Sequence, residues 1–201
     1  MVGILKLTAV SKRDYMQNEY ETQILNIDEK EIRKKLKKIG AKPLSKKFHR
    51  RFVYDINPNG CSEWLRLRTD GKKTTICYKL RKDHTPNGTQ ELEIGVDDFD
   101  KTAELLSKLS FFTDKFYQEN ISQIFTLDDI EFKIDRWPMI PTMFEIEAKS
   151  ENGVKNGLKL LGLEGKEYGH HGHIQIYREY GIDLHSHKEL KFEERKKYDR
   201  I

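Results

Sequence analysis

The sequence predicts an α+β fold in which an antiparallel sheet curls into a tunnel with a charged interior and with helices packed outside. Three observations predict it. Several segments alternate apolar and charged residues with the period of a strand, the charges on these segments are sorted by sign, and helical patterns lie between them. Helices covering an apolar outer face explain the first and third observations, and an enclosed charged channel explains the second.

Four segments show helical patterns. The first begins at Asp28, a favourable N-cap, and ends at Gly40, with Pro43 beyond it. The other predicted helices cover residues 98–109, 153–161 and, more loosely, 168–180. In the second helix the spacing predicts four buried side chains, which are Ala103, Leu105, Leu106 and Leu109. Beyond Leu184 the polar sequence predicts an exposed helix or a frayed tail.

Six segments show the two-residue period of strands, so each has one apolar face and one charged face. The charged-face positions are, in chain order, Glu19, Glu21 and Gln23; Arg66 and Arg68; Cys77, Lys79 and Arg81; Glu91 and Glu93; Glu131, Lys133 and Asp135; and Glu145, Glu147 and Lys149. A sheet with one face in water is the simple alternative for any one of these strands.

The sorting of charge favours the tunnel over the solvated sheet. Glu-x-Glu pairs stand apart from the basic pairs Arg66/Arg68 and Lys79/Arg81. Like charges two residues apart on one face repel, so each set needs a partner of opposite charge. Basic side chains bind phosphate oxygens, and carboxylates on facing strands hold Mg²⁺ or Mn²⁺ ions that bridge to phosphates. The pattern therefore predicts a ligand that combines metal and phosphates, such as a nucleoside triphosphate or a polyphosphate.

These motifs resemble, in their order, the CYTH family of triphosphate tunnel metalloenzymes, and within it the class IV adenylate cyclase-like chains. The motifs are Glu19-x-Glu21, Leu65-Arg66-Leu67-Arg68, Tyr78-Lys79-Leu80-Arg81, Glu91-x-Glu93, Ile134-Asp135 and Phe144-Glu145-Ile146-Glu147. The resemblance implies an antiparallel eight-stranded tunnel that acts on triphosphates with Mg²⁺ or Mn²⁺, as an adenylate cyclase or a triphosphatase. It also suggests a homodimer, because related chains often dimerise.

On this reading each charged position has an expected role. The expected metal ligands are Glu19, Glu21, Asp135, Glu145 and Glu147. The expected phosphate ligands are Arg66, Arg68, Lys79, Arg81 and Lys133. The expected catalytic residues are Gln23, Lys79 and Glu93, and Glu91 and Glu93 are expected to make contacts to metal or base.

The sequence departs from the family pattern in two places. Gln23 stands where the family motif Glu-x-Glu-x-Lys has its lysine, and glutamine cannot carry charge or act as a base. Neutral Asn120, Ser122 and Gln123 stand where members usually have inward Lys and Arg. Lys133 or Lys149 could restore positive charge, although Lys133 could equally pair with Glu131 or Asp135. The alternative function is therefore a tunnel that binds a nucleotide or polyphosphate without turnover.

A basic run and a histidine-rich stretch suggest further sites, but structural roles are favoured for both. The run Lys30–Arg51 is strongly basic and suggests a nucleic-acid surface, but no aromatic platform accompanies it, so a solvated helix face is favoured and nucleic-acid binding is not expected. Arg50 and Arg51 precede a predicted strand over residues 52–55, and we expect one of the two to point toward the tunnel mouth. The sequence Gly169-His170-His171-Gly172-His173 invites a metal site, but packing or exposed histidines are favoured because no full ligand set accompanies them.

The composition agrees with a cytoplasmic protein. The 201 residues are 36% apolar and 35% charged, and 37 basic groups nearly cancel 33 acidic ones to leave a net charge of +4. No apolar run is long enough to span a membrane, and two cysteines suggest a reducing compartment. We expect an N-terminal extension over residues 1–16, native or added, a tunnel domain over 17–184 and a charged tail over 185–201.

Overall fold

The computed structural model describes residues 16–18, 20–56, 63–82, 88–110, 112 and 114–193. The strands are β1 (Gln17–Asn18), β2 (Tyr20–Ile24), β3 (Lys42–Asp55), β4 (Glu63–Thr69), β5 (Thr74–Arg81), β6 (Thr89–Val96), β7 (Asp114–Leu127), β8 (Ile130–Arg136), β9 (Met143–Ala148) and β10 (Glu189–Leu190). The helices are α1 (Glu29–Lys38), α2 (Phe99–Ser107), α3 (Glu151–Leu161) and α4 (His173–Glu179), followed by a 3-10 turn at Leu184–Ser186.

The strands form a tunnel that is closed by the N-terminal segment. Their order in the sheet is β1-β6-β5-β4-β3-β7-β8-β9-β2, and all of these neighbours are antiparallel. β1 and β2 flank Glu19 in one short stretch of chain, yet Gln17 of β1 pairs with β6 and Tyr20 of β2 pairs with β9. The two ends of the sheet are therefore joined by one stretch of chain. With the two short strands β1 and β2 counted together, the sheet has the eight strands of the predicted α+β tunnel, which is confirmed.

Helices α1 and α3 cover the outer face of β8, β9 and β2. Asp28 caps α1 by accepting from the backbone N–H of Lys30 at 2.8 Å, as the sequence predicts. The apolar stripes of the two helices pack on the outward residues Phe132, Phe144 and Ile146. In α3, a β-carbon added to Gly157 would lie 2.7 Å from Cγ2 of Ile146, so this helix sits directly on the sheet.

Helix α2 covers β4 and part of β3, with a different buried face from the one expected. Phe99, Ala103 and Leu106 are buried against the outward residues Tyr54 and Leu67. The expected burial of Leu105 and Leu109 is wrong, because these side chains are 64% and 40% exposed. The stripe that begins at Phe99 has the spacing i, i+4, i+7, which turns Leu105 away from the sheet.

The C-terminal part differs most from the sequence prediction. Helix α4 is shorter than expected, because Gly169 has a φ of +108° and the chain becomes helical only after Gly172. The expected exposed helix or frayed tail beyond Leu184 is wrong for the described residues. Leu190 is 1% exposed, and its short strand β10 pairs in parallel with β7. Two apolar residues, Leu190 and Phe192, in a polar stretch are too few to establish a period by which to predict this contact.

The basic run is divided between two elements. Its first part is α1, and its second part is the start of β3, a strand of 14 residues that pairs with β7 along its length. The sequence predicts only residues 52–55 of this strand, because the charged residues before Phe52 hide its period. None of the helices in the described part of the chain has the length and apolar character needed to cross a membrane.

Candidate functional site

The inside of the tunnel is a cavity of about 850 Å³. The predicted inward residues that line it are Glu21, Gln23, Arg66, Arg68, Lys79, Arg81, Glu91, Glu93, Glu131, Lys133, Asp135, Glu145 and Glu147. Glu19 lies outside the described residues. Lys149 was expected to be inward and is not, because β9 ends at Ala148 and the 79% exposed Lys149 pairs with Asp129 at 2.7 Å.

The charges inside the tunnel are grouped by strand. Strands β3, β4 and β5 form a basic wall, which consists of Lys47, Arg51, Arg66, Arg68, Lys79 and Arg81, with acidic Asp55 and Glu63 at the end of β3 and the start of β4. Strands β2, β8 and β9 form an acidic wall, which consists of Glu21, Glu131, Asp135, Glu145 and Glu147. Neutral side chains of β7 separate the walls on one side. On the other side Glu91 and Glu93 of β6 lie beside the basic wall.

Three carboxylates of the acidic wall lie close enough to hold a metal ion. Glu21, Glu145 and Glu147 each offer one oxygen, and these oxygens all lie within 4.8 Å of one another. Opposite ligands of Mg²⁺ lie about 4 Å apart, and hard oxygen donors are the ligands that Mg²⁺ and Mn²⁺ prefer. The donor set therefore fits either ion. Burial and the charges of Glu21, Asp135 and Glu147 outweigh the opposing effect of Lys133 and raise the pKa of Glu145 to about 8.

A histidine from the Gly169–His173 segment orients one of these carboxylates. His170 is 1% exposed, and its Nδ1 lies 2.9 Å from Oε1 of Glu21. Its Nε2 lies 2.6 Å from the hydroxyl of Thr89. Burial opposes the ionisation of Glu21, but His170, Lys133 and Lys79 together hold its pKa well below the usual value. A histidine held this way fixes the direction of a metal-binding carboxylate.

The histidine segment thus belongs to the site, which the sequence analysis missed. His171 and His173 also line the cavity, and Gly172 packs against the guanidinium of Arg81. The stretch was assigned to packing or exposure because its neighbours in sequence include no metal ligands. Only the fold brings Glu21 beside His170, and no local pattern signals that contact.

Lys133 lies among the carboxylates rather than in the basic wall. Its Nζ donates to Oε1 of Glu145 at 3.0 Å and also to Glu147. Burial opposes its charge, but Glu145, Glu147 and Glu21 raise its pKa well above the usual value, so it is an ammonium ion at neutral pH. Lys133 does not pair with Glu131 or Asp135, which was the alternative to its expected role as a phosphate ligand, but with two residues of the neighbouring strand.

The basic wall holds crowded like charges. The pKa of Arg68 falls to about 10 because Arg66 lies beside it and because it is buried. Glu93 compensates in part, with Oε2 lying 3.4 Å from Nη2 of Arg66 and 3.7 Å from Nη2 of Arg68. Lys79 pairs with Glu91 at 3.2 Å. An anion between these strands would relieve the remaining repulsion, so the wall is suited to phosphate.

Arg51 is a further cation of this wall. It is absent from the phosphate ligands that the sequence predicts. It is 6% exposed, and its guanidinium carbon lies 4.6 Å from the centre of the Trp137 ring. Burial, Arg66 and Arg68 hold its pKa well below the usual value. Its inward direction agrees with the expectation for the pair Arg50/Arg51. Arg51 lies inside β3, so the alternation of this strand determines its inward direction. The sequence does not show that β3 begins before Phe52, and the alternation could therefore not be applied to Arg51.

The neutral residues of β7 connect the two walls. Asn120 accepts from Arg51 and donates to Ser122 at 3.0 Å, and Ser122 donates to Asp135. Burial raises the pKa of Asp135, which lies outside the group of three close carboxylates. Gln123 is not inward as expected, because its side chain accepts from Arg33 of α1 outside the tunnel. Arg51 therefore brings positive charge to the region that neutral β7 leaves without it.

Gln23 is engaged by the backbone of the histidine segment. It is 2% exposed, and its Oε1 accepts from the N–H of His171 at 2.9 Å. Its own backbone N–H donates to the carbonyl of Gly169 at 2.9 Å, and its carbonyl accepts from Tyr168 at 2.7 Å. Gln23 is therefore placed to anchor this segment, whatever else it contacts.

Comparison with known proteins identifies related chains and folds. A family model described as CYTH domain matches residues 17–173. A Methanocaldococcus jannaschii protein named "Putative adenylate cyclase" is 27% identical over 147 residues, which cover 71% of this chain and 83% of that protein. The solved structure of the PH1012 protein from Pyrococcus horikoshii has a TM-score of 0.64 at 23% identity, covering 74% of this chain and 93% of that one.

A second related structure comes with a stated activity. It belongs to a Hippeastrum protein named "Putative adenylyl cyclase" and is described as revealing a dominant triphosphatase activity. Its TM-score is 0.56 at 15% identity, and the match covers 84% of this chain and 99% of that protein. At these identities the two solved structures show a shared fold.

Proposed function

Because the chain belongs to the CYTH domain family, we propose that it is a metal-dependent enzyme that binds a nucleoside, organic or inorganic triphosphate in its tunnel and cleaves it. The single observation that carries this proposal is the facing of a basic wall and an acidic wall across one cavity. A triphosphate complexed with a divalent cation carries both charges that these walls require.

The residues divide the work as follows. Arg51, Arg66, Arg68, Lys79 and Arg81 hold the phosphate oxygens, and Arg suits bidentate contacts. Glu21, Glu145 and Glu147 hold Mg²⁺ or Mn²⁺, with His170 orienting Glu21. A bound ion of this kind neutralises charge on phosphate oxygens. Cleavage of a phosphoanhydride depends mainly on positioning and charge neutralisation, which are what these fixed side chains provide.

Two reactions are compatible with this arrangement. In hydrolysis, water attacks the terminal phosphorus and its bond to the bridging oxygen breaks, releasing inorganic phosphate. In cyclisation, the 3'-hydroxyl of ATP attacks the α-phosphorus and pyrophosphate leaves. The names and the activity given for the related proteins support both reactions. We also propose a cytoplasmic location and a homodimer, in line with the sequence expectations.

The test is product analysis with purified protein. Wild type is incubated with ATP or with tripolyphosphate in Mg²⁺ or Mn²⁺, and phosphate, pyrophosphate and cyclic nucleotide are separated and quantified. We expect turnover to fall by at least about a hundredfold in the double variant Glu145→Gln with Glu147→Gln, which removes two metal-binding charges. The control is Asp129→Asn on the exposed surface, which should retain full activity.

Gln23 favours a second candidate, binding without turnover. Its side-chain oxygen is occupied by the His171 backbone, and an amide cannot act as a base. A wild-type protein whose melting temperature rises with metal and triphosphate, but which forms no product, would support this candidate. No turnover and no stabilisation by any triphosphate would contradict both candidates.

A further inference from the structure

Lys133 occupies the oxygens that a metal ion would use. Its Nζ lies 3.0 Å from Oε1 of Glu145 and also contacts Glu147. The same two carboxylates, with Glu21, form the group whose oxygens lie within 4.8 Å of one another. An ammonium ion and a divalent cation cannot both have the same short contacts, so Lys133 competes with metal for these ligands.

The surroundings of Lys133 keep this competition strong. Its side chain is 18% exposed and Glu145 is 11% exposed, so little water screens the pair. The acidic wall brings together four carboxylates that repel one another, those of Glu21, Asp135, Glu145 and Glu147. Lys133, which belongs to the same wall, offsets part of this repulsion. Removing the ammonium without supplying another cation leaves these carboxylates crowded.

A bound phosphate could replace the carboxylates as the hydrogen-bond acceptor of Lys133. An ammonium on a four-carbon stem is a flexible point charge with three donors. The basic wall faces the same cavity, so phosphates held there and metal held by Glu21, Glu145 and Glu147 would lie side by side. A lysine displaced from the carboxylates can then donate to a phosphate oxygen without leaving the tunnel.

We propose that Lys133 is a tethered counter-ion of the carboxylate group, which a divalent cation displaces and which then moves to the phosphates of the bound triphosphate. This inference rests on the proposed function. It adds that metal and triphosphate bind together, as one complex. Free metal binds weakly because it must displace Lys133 with no new partner for the ammonium. Metal that arrives with a triphosphate supplies that partner, so the protein takes up the metal–triphosphate complex.

The test measures Mn²⁺ binding directly, without triphosphate and without any measurement of activity. Calorimetry and the Mn²⁺ electron paramagnetic resonance signal give the dissociation constant for wild type and for Lys133→Met, which keeps the length but removes the charge. We expect Lys133→Met to bind Mn²⁺ more tightly by about tenfold or more. Lys133→Gln, which can still donate to a carboxylate, serves as a second variant should the methionine variant fail to fold.

Lys149→Met is the matched control, because it removes the same charge from a residue that follows β9 directly and that pairs with exposed Asp129 outside the cavity. We expect its Mn²⁺ affinity to equal that of wild type. Equal tightening in both variants would reduce the effect to net charge and overturn the inference. Unchanged or weaker Mn²⁺ binding in the Lys133 variants would overturn it as well.

The same experiment separates this inference from the proposed function. Mn²⁺ binding that depends on Glu145 but is unaffected by Lys133 would leave the metal site in place and refute only the role of Lys133. Absence of Mn²⁺ binding in wild type and in both Lys133 variants would refute the metal site on which the proposed function depends, and the inference with it.

Discussion

Replacing Gln23 with the lysine that the family motif has at this position should lower the stability of the fold. We do not expect it to increase triphosphate turnover. Gln23 is 2% exposed, and its side-chain oxygen accepts from the His171 N–H at 2.9 Å. Lysine has three donors and no acceptor, so Gln23→Lys removes this bond. Loss of an acceptor from a buried hydrogen bond costs about 1–3 kcal/mol, which for a chain of this size lowers the melting temperature by roughly 2–12 °C.

The assay is urea unfolding of wild type, Gln23→Lys and Gln23→Met. The methionine variant also lacks the acceptor but adds no charge, so similar losses in both variants assign the effect to the hydrogen bond. Gln118→Met is the matched control, since Gln118 is another buried glutamine of the tunnel, and we expect it to lose less stability than either Gln23 variant. Wild-type stability together with increased triphosphate turnover in Gln23→Lys would refute the reasoning.

Two further predictions concern packing and pH. Gly157→Ala should lower the free energy of unfolding by about 1–3 kcal/mol, because its β-carbon would lie 2.7 Å from Ile146, whereas the exposed helical control Asn156→Ala should change little in the same denaturation experiment. Burial, Arg51 and Arg68 lower the pKa of His49 to about 2, below its unfolded value, so the unfolded chain takes up this proton first. Stability should therefore fall as pH drops below about 6.5, by up to about 1.4 kcal/mol per unit from this group, and His49→Gln should reduce that slope. Identical acid profiles of the two proteins would contradict the assignment.

The composition of the walls could be predicted from sequence because strand parity alone decides it. A period of two puts Arg66, Arg68, Lys79 and Arg81 on one face whatever the strands pair with, and the structure places all four inside the tunnel. The same reasoning succeeds for the acidic residues of β8 and β9. It fails for Lys149, since parity does not say where a strand ends.

Contacts between strands could not be predicted in the same way. The sequence leaves Lys133 either as a phosphate ligand or as a partner of Glu131 or Asp135, two residues away on its own strand, but in the structure it pairs with Glu145, directly opposite on β9. Opposite residues on neighbouring strands lie closer than residues two apart on one strand. The partner of Lys133 therefore depends on the register between β8 and β9, and the register is known only from the folded structure. The contact of His170 with Glu21 depends on the fold in the same way, because it joins distant parts of the chain.

The closure of the tunnel by its N-terminal strands has a consequence for how the protein is made. β2 is synthesised before strands β3 to β9, but its partner β9 is the last of these strands to be made. Until then Tyr20–Ile24 is an unpaired strand edge that can associate with other chains. Glu21 and Glu145 likewise meet only once β9 has been made, because a nascent chain interrupted before Met143 contains Glu21 but lacks Glu145 and Glu147. We therefore expect unfinished chains, in which Tyr20–Ile24 lacks its partner strand, to aggregate more readily than the complete protein.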